Sequence, residues 1–533
     1  MQVIEKYKDQ IEVAKNEGRN IIACICNNEI KSLDYNIADG DKITLLDTST
    51  TNGKRVYIRG ILYVMAKAFY EIYPEALLTV NYQLHSAMYC EIDNMQVTDE
   101  IIQNVNCKMQ EIINKNIPIK KVVMDKKEAE EFYASNKTLR GIAQLDNKQK
   151  DVVSLYYCED YFNYFYGVMP ISTAYTPIYE IIKYKKGFLL RYPSRKSPNT
   201  LQKHIDNKKL VSTLFEYEDI HTALDMQTVY KLNNAIKSGK ASDIILLSEA
   251  LHEKKIATIA DDIAKKKDAK IVLIAGPSSS GKTTFSKRLG IELRLNGLKP
   301  VTISVDNYFV ERKDTPLDED GKYDFECLEA IDLELFNKHI KTLLDGGEIE
   351  VPTFDFKIGT KIYTGEKMKL ANDEILVIEG IHCLNDKLTS EIPMEQKYKI
   401  YISDLTVLNL DYFNRISTTD TRLIRRIVRD NNFRGYSALH TLQAWASVNR
   451  GEDKNIFPYQ ENCDIMFNSS LVYELSALKR FALPELEKID NSVPEYAEAK
   501  RLAEFLKYFE DIPIDDIPRN SLLREFIGGS IFE

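Results

Sequence analysis

A lysine and a threonine close a glycine-bearing loop at residues 276–283, where the sequence is G-P-S-S-S-G-K-T. The apolar run 271–275 comes before it and a helix-like segment follows, a context that makes G-x-x-x-x-G-K-[ST] a phosphate-binding loop, or P-loop. Its backbone amides point at the phosphates from the positive end of the following helix. Lys282 can reach the β- and γ-phosphates, and Thr283 can hold Mg²⁺. We therefore predict that ATP binds to Gly276, Ser278, Ser279, Ser280, Gly281, Lys282, Thr283 and Thr284.

Two carboxylates are expected beside this loop. One apolar run, 301–305, ends at Asp306, and another, 375–378, ends at Glu379. Because ligands of open parallel sheets collect at the carboxyl ends of strands, both side chains should lie near the phosphates. Asp306 could accept the proton of an attacking hydroxyl, and Glu379 could hold the hydration shell of Mg²⁺. Aspartate also caps helices often, so a structural role for Asp306 stays open.

Size and composition limit the classes of protein to consider. At 533 residues, the chain should hold roughly three or four domains. Its net charge of −9 gives no general reason to expect a nucleic-acid or membrane partner, and no apolar run approaches a membrane span. The eight scattered cysteines favour reduced thiols in a cytoplasm. The seven histidines include no pair at metal-ligand spacing, so no protein zinc site is expected.

Five further segments occur in a characteristic order after the loop. They are D-N-Y-F at 306–309, Y-D-F-E at 323–326, I-E-V-P-T-F-D-F at 349–356, E-G-I at 379–381 and D-T-R-L-I-R-R-I-V-R-D at 420–430. Together they resemble the uridine kinase and phosphoribulokinase family of P-loop kinases over about 268–470. The last segment resembles the family's lid helix, whose mobile arginines supply charge for phosphoryl transfer.

This resemblance implies a role for each matching residue. Asp306 would be the catalytic base, while Glu326 and Arg422 would hold sugar hydroxyls. The predicted catalytic residues are Lys282, Asp306, Arg425 and Arg429. The predicted acceptor-site residues are Asp306, Tyr308, Phe325, Glu326, Phe354, Arg422, Arg426 and Arg434. Thr283 and Glu379 would hold Mg²⁺.

Two departures from the family leave the acceptor open. Gly359 stands where uridine–cytidine kinases have a histidine that binds the pyrimidine edge, and Phe354 replaces a tyrosine. Both changes remove hydrogen-bonding groups on which discrimination would depend. The leading hypothesis is transfer of the γ-phosphoryl group of ATP to a hydroxyl, most readily the 5′-hydroxyl of a nucleoside, with another small polyol as an option. A sugar-phosphate kinase using Lys357, Lys361 and Lys367 and a tRNA-binding module driven by NTP are the alternatives.

The first 195 residues resemble a different family. The runs 21–26 and 42–47 predict two strands, and the pattern from Gly60 to Tyr73 predicts a helix that ends before Pro74. In order and spacing, residues 1–50 resemble the small β-grasp (TGS) domain of threonyl-tRNA synthetase, and 51–195 its editing, or second additional, domain. Arg59 and Tyr63 replace the H-x-x-x-H histidines of that family, and Phe165 and Met169 replace its cysteine and histidine. These side chains supply no general base and no zinc ligand. We therefore expect no deacylation and no bound zinc, and expect this half to scaffold or regulate the kinase, for example through a homo-oligomer contact.

The expected fold class is multidomain α/β. A P-loop nucleotide-kinase fold, with a parallel sheet flanked by helices, would follow a β-grasp domain and an α+β editing-like domain. The expected boundaries are 1–50, 51–195, a helical connector at 196–267, the kinase at 268–470 and a helical extension at 471–533. No docking site is predicted for the tail from Ile512 onward.

Overall fold

The computed structural model describes residues 1–135, 145, 152–317, 321, 323–355, 358–371 and 373–532. Within these ranges, no helix is both long and apolar enough to cross a membrane. The described strands form five sheets, and the largest of them has five strands and carries the P-loop.

The first 50 residues form a small antiparallel sheet with two short helices. The elements are α1 (Val3–Lys6), α2 (Lys8–Asn16), β1 (Ile21–Cys26), β2 (Glu29–Lys31) and β3 (Ile43–Asp47). β1 is the central strand and pairs antiparallel with both neighbours. The two predicted strands are confirmed, whereas the likeness to a β-grasp domain stays a prediction.

Residues 51–195 form an α+β unit around one long helix. The helices are α3 (Thr51–Ile72), α4 (Asp99–Lys115) and α5 (Lys126–Ser135). The strands are β4 (Leu78–Leu84), β5 (Ala87–Ile92), β6 (Lys120–Asp125), β7 (Val152–Cys158), β8 (Tyr161–Asn163), β9 (Glu180–Tyr184) and β10 (Gly187–Arg191). They form two antiparallel sheets, ordered β4-β5-β10-β9 and β6-β7-β8. The hydroxyl of Thr50 caps α3 by accepting a hydrogen bond from the amide of Gly53 at 3.0 Å, so the helix begins nine residues before the expected Gly60.

Three helices connect this unit to the P-loop, although the sequence pattern predicts only two. They are α6 (Lys208–Ala223), α7 (Val229–Lys237) and α8 (Ala241–Lys265). The additional one, α6, falls in the polar segment 196–226, whereas the helical patterns of the predicted connector lie at about 226–238 and 244–266. Its side chains Val211, Leu214 and Tyr217 are buried, and they pack with Tyr82 of β4. Tertiary contacts therefore stabilise a helix that the polar sequence of this segment does not predict.

The kinase-like region contains a parallel five-stranded sheet. Its strands are β11 (Ile271–Ala275), β12 (Lys299–Ser304), β15 (Glu374–Glu379), β16 (Lys397–Ser403) and β17 (Ile465–Asn468), in the order β12-β15-β11-β16-β17. Its helices are α9 (Lys282–Leu295), α10 (Leu333–Leu344), α11 (Thr418–Arg429) and α12 (Ala438–Asn455). A separate hairpin, β13 (Glu348–Asp355) and β14 (Thr360–Lys369), extends from it.

Alternate side chains of β11 enter two different cores, as the period of a strand requires. Val272 and Ile274 pack in the core that includes Phe285 of α9. Ile271 and Leu273 pack in the core that includes Phe336 of α10. The sheet is therefore covered by helices on both faces, which gives the predicted P-loop kinase architecture.

The carboxyl-terminal region is helical and docks on the kinase core. Its helices are α13 (Glu474–Glu487), α14 (Tyr496–Leu506) and α15 (Arg524–Ile527). Leu522, Leu523 and Phe526 are fully buried in the same core as β11 and α9. The tail, whose docking the sequence did not predict, is thus packed into the core of the kinase region.

The amino-terminal half contacts the segment 404–417, which leads from β16 into α11. The amide of Val80 donates a hydrogen bond to the carbonyl oxygen of Tyr412 at 2.8 Å, and the amide of Tyr166 donates to Oδ1 of Asn414 at 2.8 Å. Leu405 and Val407 join Tyr82 in one buried cluster. The two halves therefore share a packed interface at the entrance to the arginine-rich helix α11.

Candidate active site

The P-loop lies between β11 and α9, and its geometry is that of a phosphate cradle. Gly281 has φ = 85°, a left-handed conformation that favours glycine. A Cβ on Gly276 would lie 2.0 Å from the carbonyl oxygen of Ile402, so only glycine fits there. The ammonium of Lys282 donates hydrogen bonds to the carbonyl oxygens of Gly276 and Pro277, at 3.0 and 3.2 Å. These contacts hold the lysine across the mouth of the loop.

Asp306 and Glu379 meet at this loop. Glu379 ends β15, beside β11 and β12, and Asp306 follows β12 in a short 3₁₀ turn. Burial raises the pKa of both carboxyls, although the charge of Lys282 opposes the rise. The side chain of Asp306 is nevertheless exposed to solvent. The structure thus brings together the predicted base, the predicted metal ligand and the phosphate-binding lysine.

Polar atoms at the loop are available to a ligand. The hydroxyl of Thr283 donates to Oε1 of Glu379 at 3.4 Å. The hydroxyls of Ser279 and Ser280 and Oε2 of Glu379 are buried with no hydrogen-bond partner among the described residues. Oxygen donors of this kind suit Mg²⁺, and buried orphan groups are satisfied when a ligand binds. The site therefore fits the predicted Mg²⁺ and triphosphate.

Glu326, a predicted acceptor-site residue, lies close enough to Lys282 and Asp306 for their charges to act on its carboxyl. It packs against Gly451 of α12, where a Cβ on the glycine would lie 2.8 Å from the Cβ of Glu326. Burial raises the pKa of Glu326 to about 7, and the charge of Glu452 adds to the rise while Arg426 and Lys282 oppose it. The carboxyl of Glu326 therefore changes between its neutral and charged forms near neutral pH.

Helix α11 holds the P-loop through three of its arginines. The guanidinium of Arg422 donates to the carbonyl oxygen of Ser278 at 3.2 Å, and that of Arg426 donates to the Ser278 hydroxyl at 2.9 Å. Arg425 donates to the carbonyl oxygen of Ser279 at 3.3 Å. The helix predicted to be a lid thus contacts the loop directly.

Two of these arginines are also paired with buried carboxylates. Arg422 binds Glu452 with both terminal nitrogens, at 2.5 and 2.9 Å, and Glu452 in turn accepts from the amide of Ser278 at 2.9 Å. Arg425 donates to Glu474 at 2.6 Å and has no exposed surface. In this state both guanidinium groups position the loop, and direct contact with a sugar or a phosphate stays a prediction for each of them.

Three arginines surround one aspartate at the end of α11. Asp430 pairs with Arg426, Arg429 and Arg434 at 3.3, 3.1 and 3.5 Å. The side chain of Arg434 is half exposed. Its charge also lowers the pKa of Asp306, against the stronger effect of burial. Arg434 is therefore near the predicted base, while a contact of these arginines with the triphosphate stays a prediction.

The aromatic acceptor residues separate into two groups. Phe325 and Phe354 both lie beside Phe309, with ring centroids 6.2 and 5.5 Å from it. Tyr308 instead is fully buried in the core, and its hydroxyl lies 3.1 Å from Nδ1 of His339. Its neighbour Phe309, which was not among the predicted acceptor residues, is buried in the same core and contacts both phenylalanines.

Residues around Gly359 bear on acceptor choice. The missing side chain of Gly359 leaves space that Arg312 enters, since a Cβ there would lie 2.7 Å from Nε of Arg312. Lys361 pairs with Asp332, and Lys367 pairs with Glu348 at the surface. Lys357 lies outside the described residues. The two described lysines are therefore engaged by carboxylates.

Three of the four positions compared with the editing residues form part of a packed core. The rings of Tyr63 and Phe165 lie 5.7 Å apart, and both share a buried cluster with Met169. Nε of Arg59 donates to the carbonyl oxygen of Val168 at 2.8 Å. The likeness of this region to an editing domain, and the absence of deacylation expected from it, stay predictions.

Glu452 and Glu525 are site residues that sequence reasoning missed. Glu452 lies in α12, and Glu525 lies near the carboxyl terminus, where it accepts a hydrogen bond from the amide of Thr284 at 3.2 Å. Neither residue lies in one of the five sequence segments that carry the resemblance to the kinase family. The only sequence signal was the excess of arginines in 420–434, which requires acidic partners somewhere in the chain.

The fold and the site define a P-loop kinase. The profile of the phosphoribulokinase / uridine kinase family matches residues 271–475. The uridine kinase of Ligilactobacillus salivarius (strain UCC118) is 31% identical over 178 residues, which are 33% of this chain and 74% of that protein. The chain belongs to this family through its kinase region.

Other relatives match the same region. The uridine kinase of Staphylococcus aureus (strain JH9) is 28% identical over 197 residues, 37% of this chain and 86% of that protein. A solved structure described as a possible uridine kinase from Bacillus stearothermophilus is 16% identical, covers 40% of this chain and all of its own, and has a TM-score of 0.26. These relatives leave about two thirds of the present chain unmatched.

Proposed function

We propose that the protein transfers the γ-phosphoryl group of ATP to a hydroxyl of a small molecule, with the 5′-hydroxyl of a nucleoside as the first candidate. The observation that carries the proposal is the meeting of Lys282, Asp306 and Glu379 at adjacent strand ends, opposite Glu326. Phosphoryl transfer needs little more than a positioned hydroxyl and charge stabilisation, and this cleft offers both.

The residues of the cleft divide the work of the reaction. The hydroxyl oxygen of the acceptor attacks the γ-phosphorus while a carboxylate oxygen of Asp306 accepts the hydroxyl proton. The bond between the γ-phosphorus and the oxygen that bridges it to the β-phosphate breaks, and ADP is released. Lys282 offsets the negative charge that develops on the phosphates. Glu326 orients the acceptor by accepting a hydrogen bond from a second hydroxyl. Thr283 and Glu379 would hold Mg²⁺, which neutralises phosphate charge when bound.

Two observations weigh against the alternatives. A sugar-phosphate acceptor needs cations that are free to bind its phosphate, yet Lys361 and Lys367 are paired with Asp332 and Glu348. A tRNA-binding module driven by NTP is disfavoured by the net charge of −9 and by the packed Tyr63 and Phe165, which stand at the positions matching the editing residues. A nucleoside kinase therefore remains the better-supported proposal.

A screen of ribonucleosides, polyols and sugar phosphates for acceptor-dependent ADP release tests the proposal. We expect release with at least one unphosphorylated acceptor and its loss in Lys282→Ala. Lys299→Ala is the matched control, since Lys299 forms an exposed ion pair with Asp373 at the opposite end of the sheet. Release that depends only on a sugar phosphate, or that survives in Lys282→Ala, would refute it.

A further inference from the structure

The end of the chain lies against the P-loop. Residues 521–532, called the C-terminal strap here, contain α15 and a turn at Gly528 and Gly529, which have φ of 88° and 74°. The side chain of Leu522 packs on Gly281, where an added Cβ would lie 2.4 Å from Cδ2 of the leucine. The strap therefore rests on the glycine that opens α9.

The strap also places a carboxylate on the amino-terminal end of α9. Oε2 of Glu525 accepts a hydrogen bond from the amide of Thr284 at 3.2 Å. The amides at this end of a P-loop helix are the donors that bind phosphate oxygens. Glu525 is also close enough to Glu379 to raise its pKa further, behind the larger effect of burial. A negative charge of the protein thus occupies a position suited to a phosphate.

Separate contacts fix the strap around this carboxylate. The hydroxyl of Ser521 donates to Oε1 of Glu249 at 2.6 Å, and Nζ of Lys287 donates to the carbonyl oxygen of Phe532 at 2.5 Å. The side chain of Asn432, at the end of the arginine helix, donates to the carbonyl oxygen of Phe526 at 3.0 Å. Because these anchors do not involve the Glu525 carboxylate, that side chain can leave the Thr284 amide while the strap stays docked.

We propose that the C-terminal strap is an intramolecular competitor of the nucleotide, with the Glu525 carboxylate occupying a phosphate-binding amide of the P-loop. A nucleotide must displace this carboxylate before its phosphates reach the Thr284 amide. The apparent affinity is then reduced by the fraction of molecules in which Glu525 is bound there. This inference rests on nucleotide binding by the loop and is independent of which acceptor is phosphorylated.

Calorimetric titration of the full chain with ADP and Mg²⁺ tests the proposal without any acceptor. Glu525→Gln keeps the size of the side chain and removes its charge. We expect the variant to bind ADP about threefold to tenfold more tightly, because a larger fraction of the protein is competent to bind. Adenosine, which has no phosphate, should bind both proteins equally. Asp515→Asn removes the same charge from an exposed position outside the strap and should leave ADP affinity unchanged.

Amide hydrogen exchange of the unmodified protein gives a second test that needs no variant. We expect ADP and Mg²⁺ not to slow exchange in residues 521–532, since the nucleotide removes the Glu525 contact while the separate anchors keep the strap docked. Slower exchange there on ADP binding, or equal or weaker ADP affinity in Glu525→Gln, would overturn the proposal. If Glu525→Gln bound ADP and adenosine more tightly by the same factor, the proposal would be overturned as well, because the competition would then not involve phosphate.

Discussion

Replacing Glu326 by glutamine should stabilise the protein and impair catalysis at the same time. In the folded protein the pKa of this carboxyl is about 7, against 4.5 for an ordinary glutamate, with burial as the main cause and the Glu452 charge as the second. The folded protein therefore keeps the proton up to about pH 7, whereas the unfolded chain releases it near its ordinary pKa. Stability must fall as the pH rises between these two values.

The size of the effect follows from the same pKa. A rise of the pKa from 4.5 to about 7 destabilises the folded protein by roughly 3 kcal/mol at a pH above both pKa values. Because the cleft is partly open to solvent, we expect Glu326→Gln to recover about 1–3 kcal/mol at about pH 8 and almost nothing near pH 4. If the carboxylate orients the acceptor, kcat/KM should fall by about 10- to 100-fold, the size of one charged hydrogen bond.

Urea unfolding at a series of pH values, together with steady-state kinetics, measures both effects. Glu329→Gln is the matched control, since Glu329 lies three residues away and is exposed. A stability gain that does not change with pH would refute the assignment of the raised pKa. Unchanged kcat/KM would show that Glu326 has no part in acceptor binding.

Two further predictions concern the base and the amino-terminal half. Asp306→Asn keeps the shape of the side chain but removes the proton acceptor, so kcat should drop by roughly 10²–10⁴ with ATP binding retained; collapse of nucleotide affinity would instead indicate a metal or structural role. Seryl-tRNA should not be deacylated above background, and elemental analysis should find no zinc, because Tyr63, Phe165 and Met169 pack where a base and ligands would be required; catalytic deacylation would contradict this.

Local sequence was sufficient for the parts of the site that are contiguous in the chain. The strand 271–275, the loop and α9 follow one another, so their arrangement is set by short-range geometry and glycine conformation. The carboxylates Asp306 and Glu379 could also be placed, since parallel strands bring their carboxyl ends to one edge.

Contacts between distant segments could not be predicted in this way. Glu452 reaches Ser278 across 174 residues of chain, and Glu525 reaches Thr284 across 241. No periodicity or spacing records such a pairing, because it depends on how helices pack around the sheet. The partner of Arg422 was also not predicted. The resemblance implies that Arg422 binds a sugar hydroxyl, whereas in the structure it pairs with the buried Glu452.

The amino-terminal half joins the kinase through a network of charges at the start of α11. Arg501 of α14 binds Asp420 of α11 with both terminal nitrogens, at 2.7 and 2.8 Å, and also pairs with Glu498 at 2.7 Å. Arg55 of α3 pairs with the same Glu498 at 2.6 Å. Burial raises the pKa of Glu498, but the charges of Arg501 and Arg55 outweigh it and hold the pKa below the ordinary range.

Removing Arg501 should therefore affect both stability and nucleotide binding. Arg501→Met leaves two largely buried carboxylates with Arg55 as their remaining partner, so we expect a loss of about 3–5 kcal/mol at neutral pH. Because the pKa of Glu498 is lowered in the folded protein, its charged form stabilises the fold above the ordinary glutamate pKa, and this stabilisation is lost as Glu498 becomes protonated. The difference in the free energy of unfolding between variant and parent should therefore shrink as the pH falls.

Lys500→Met provides the comparison that separates this network from ordinary surface charge. Lys500 pairs with Glu29 at 2.7 Å but is half exposed, so its loss should change stability by less than about 1 kcal/mol. Because Asp420 lies in the first turn of the helix whose Arg422 and Arg426 hold Ser278, Arg501→Met should also weaken ADP binding under conditions where the variant is fully folded. Equal ADP affinity in the two variants would show that this network stabilises the interface without positioning the P-loop.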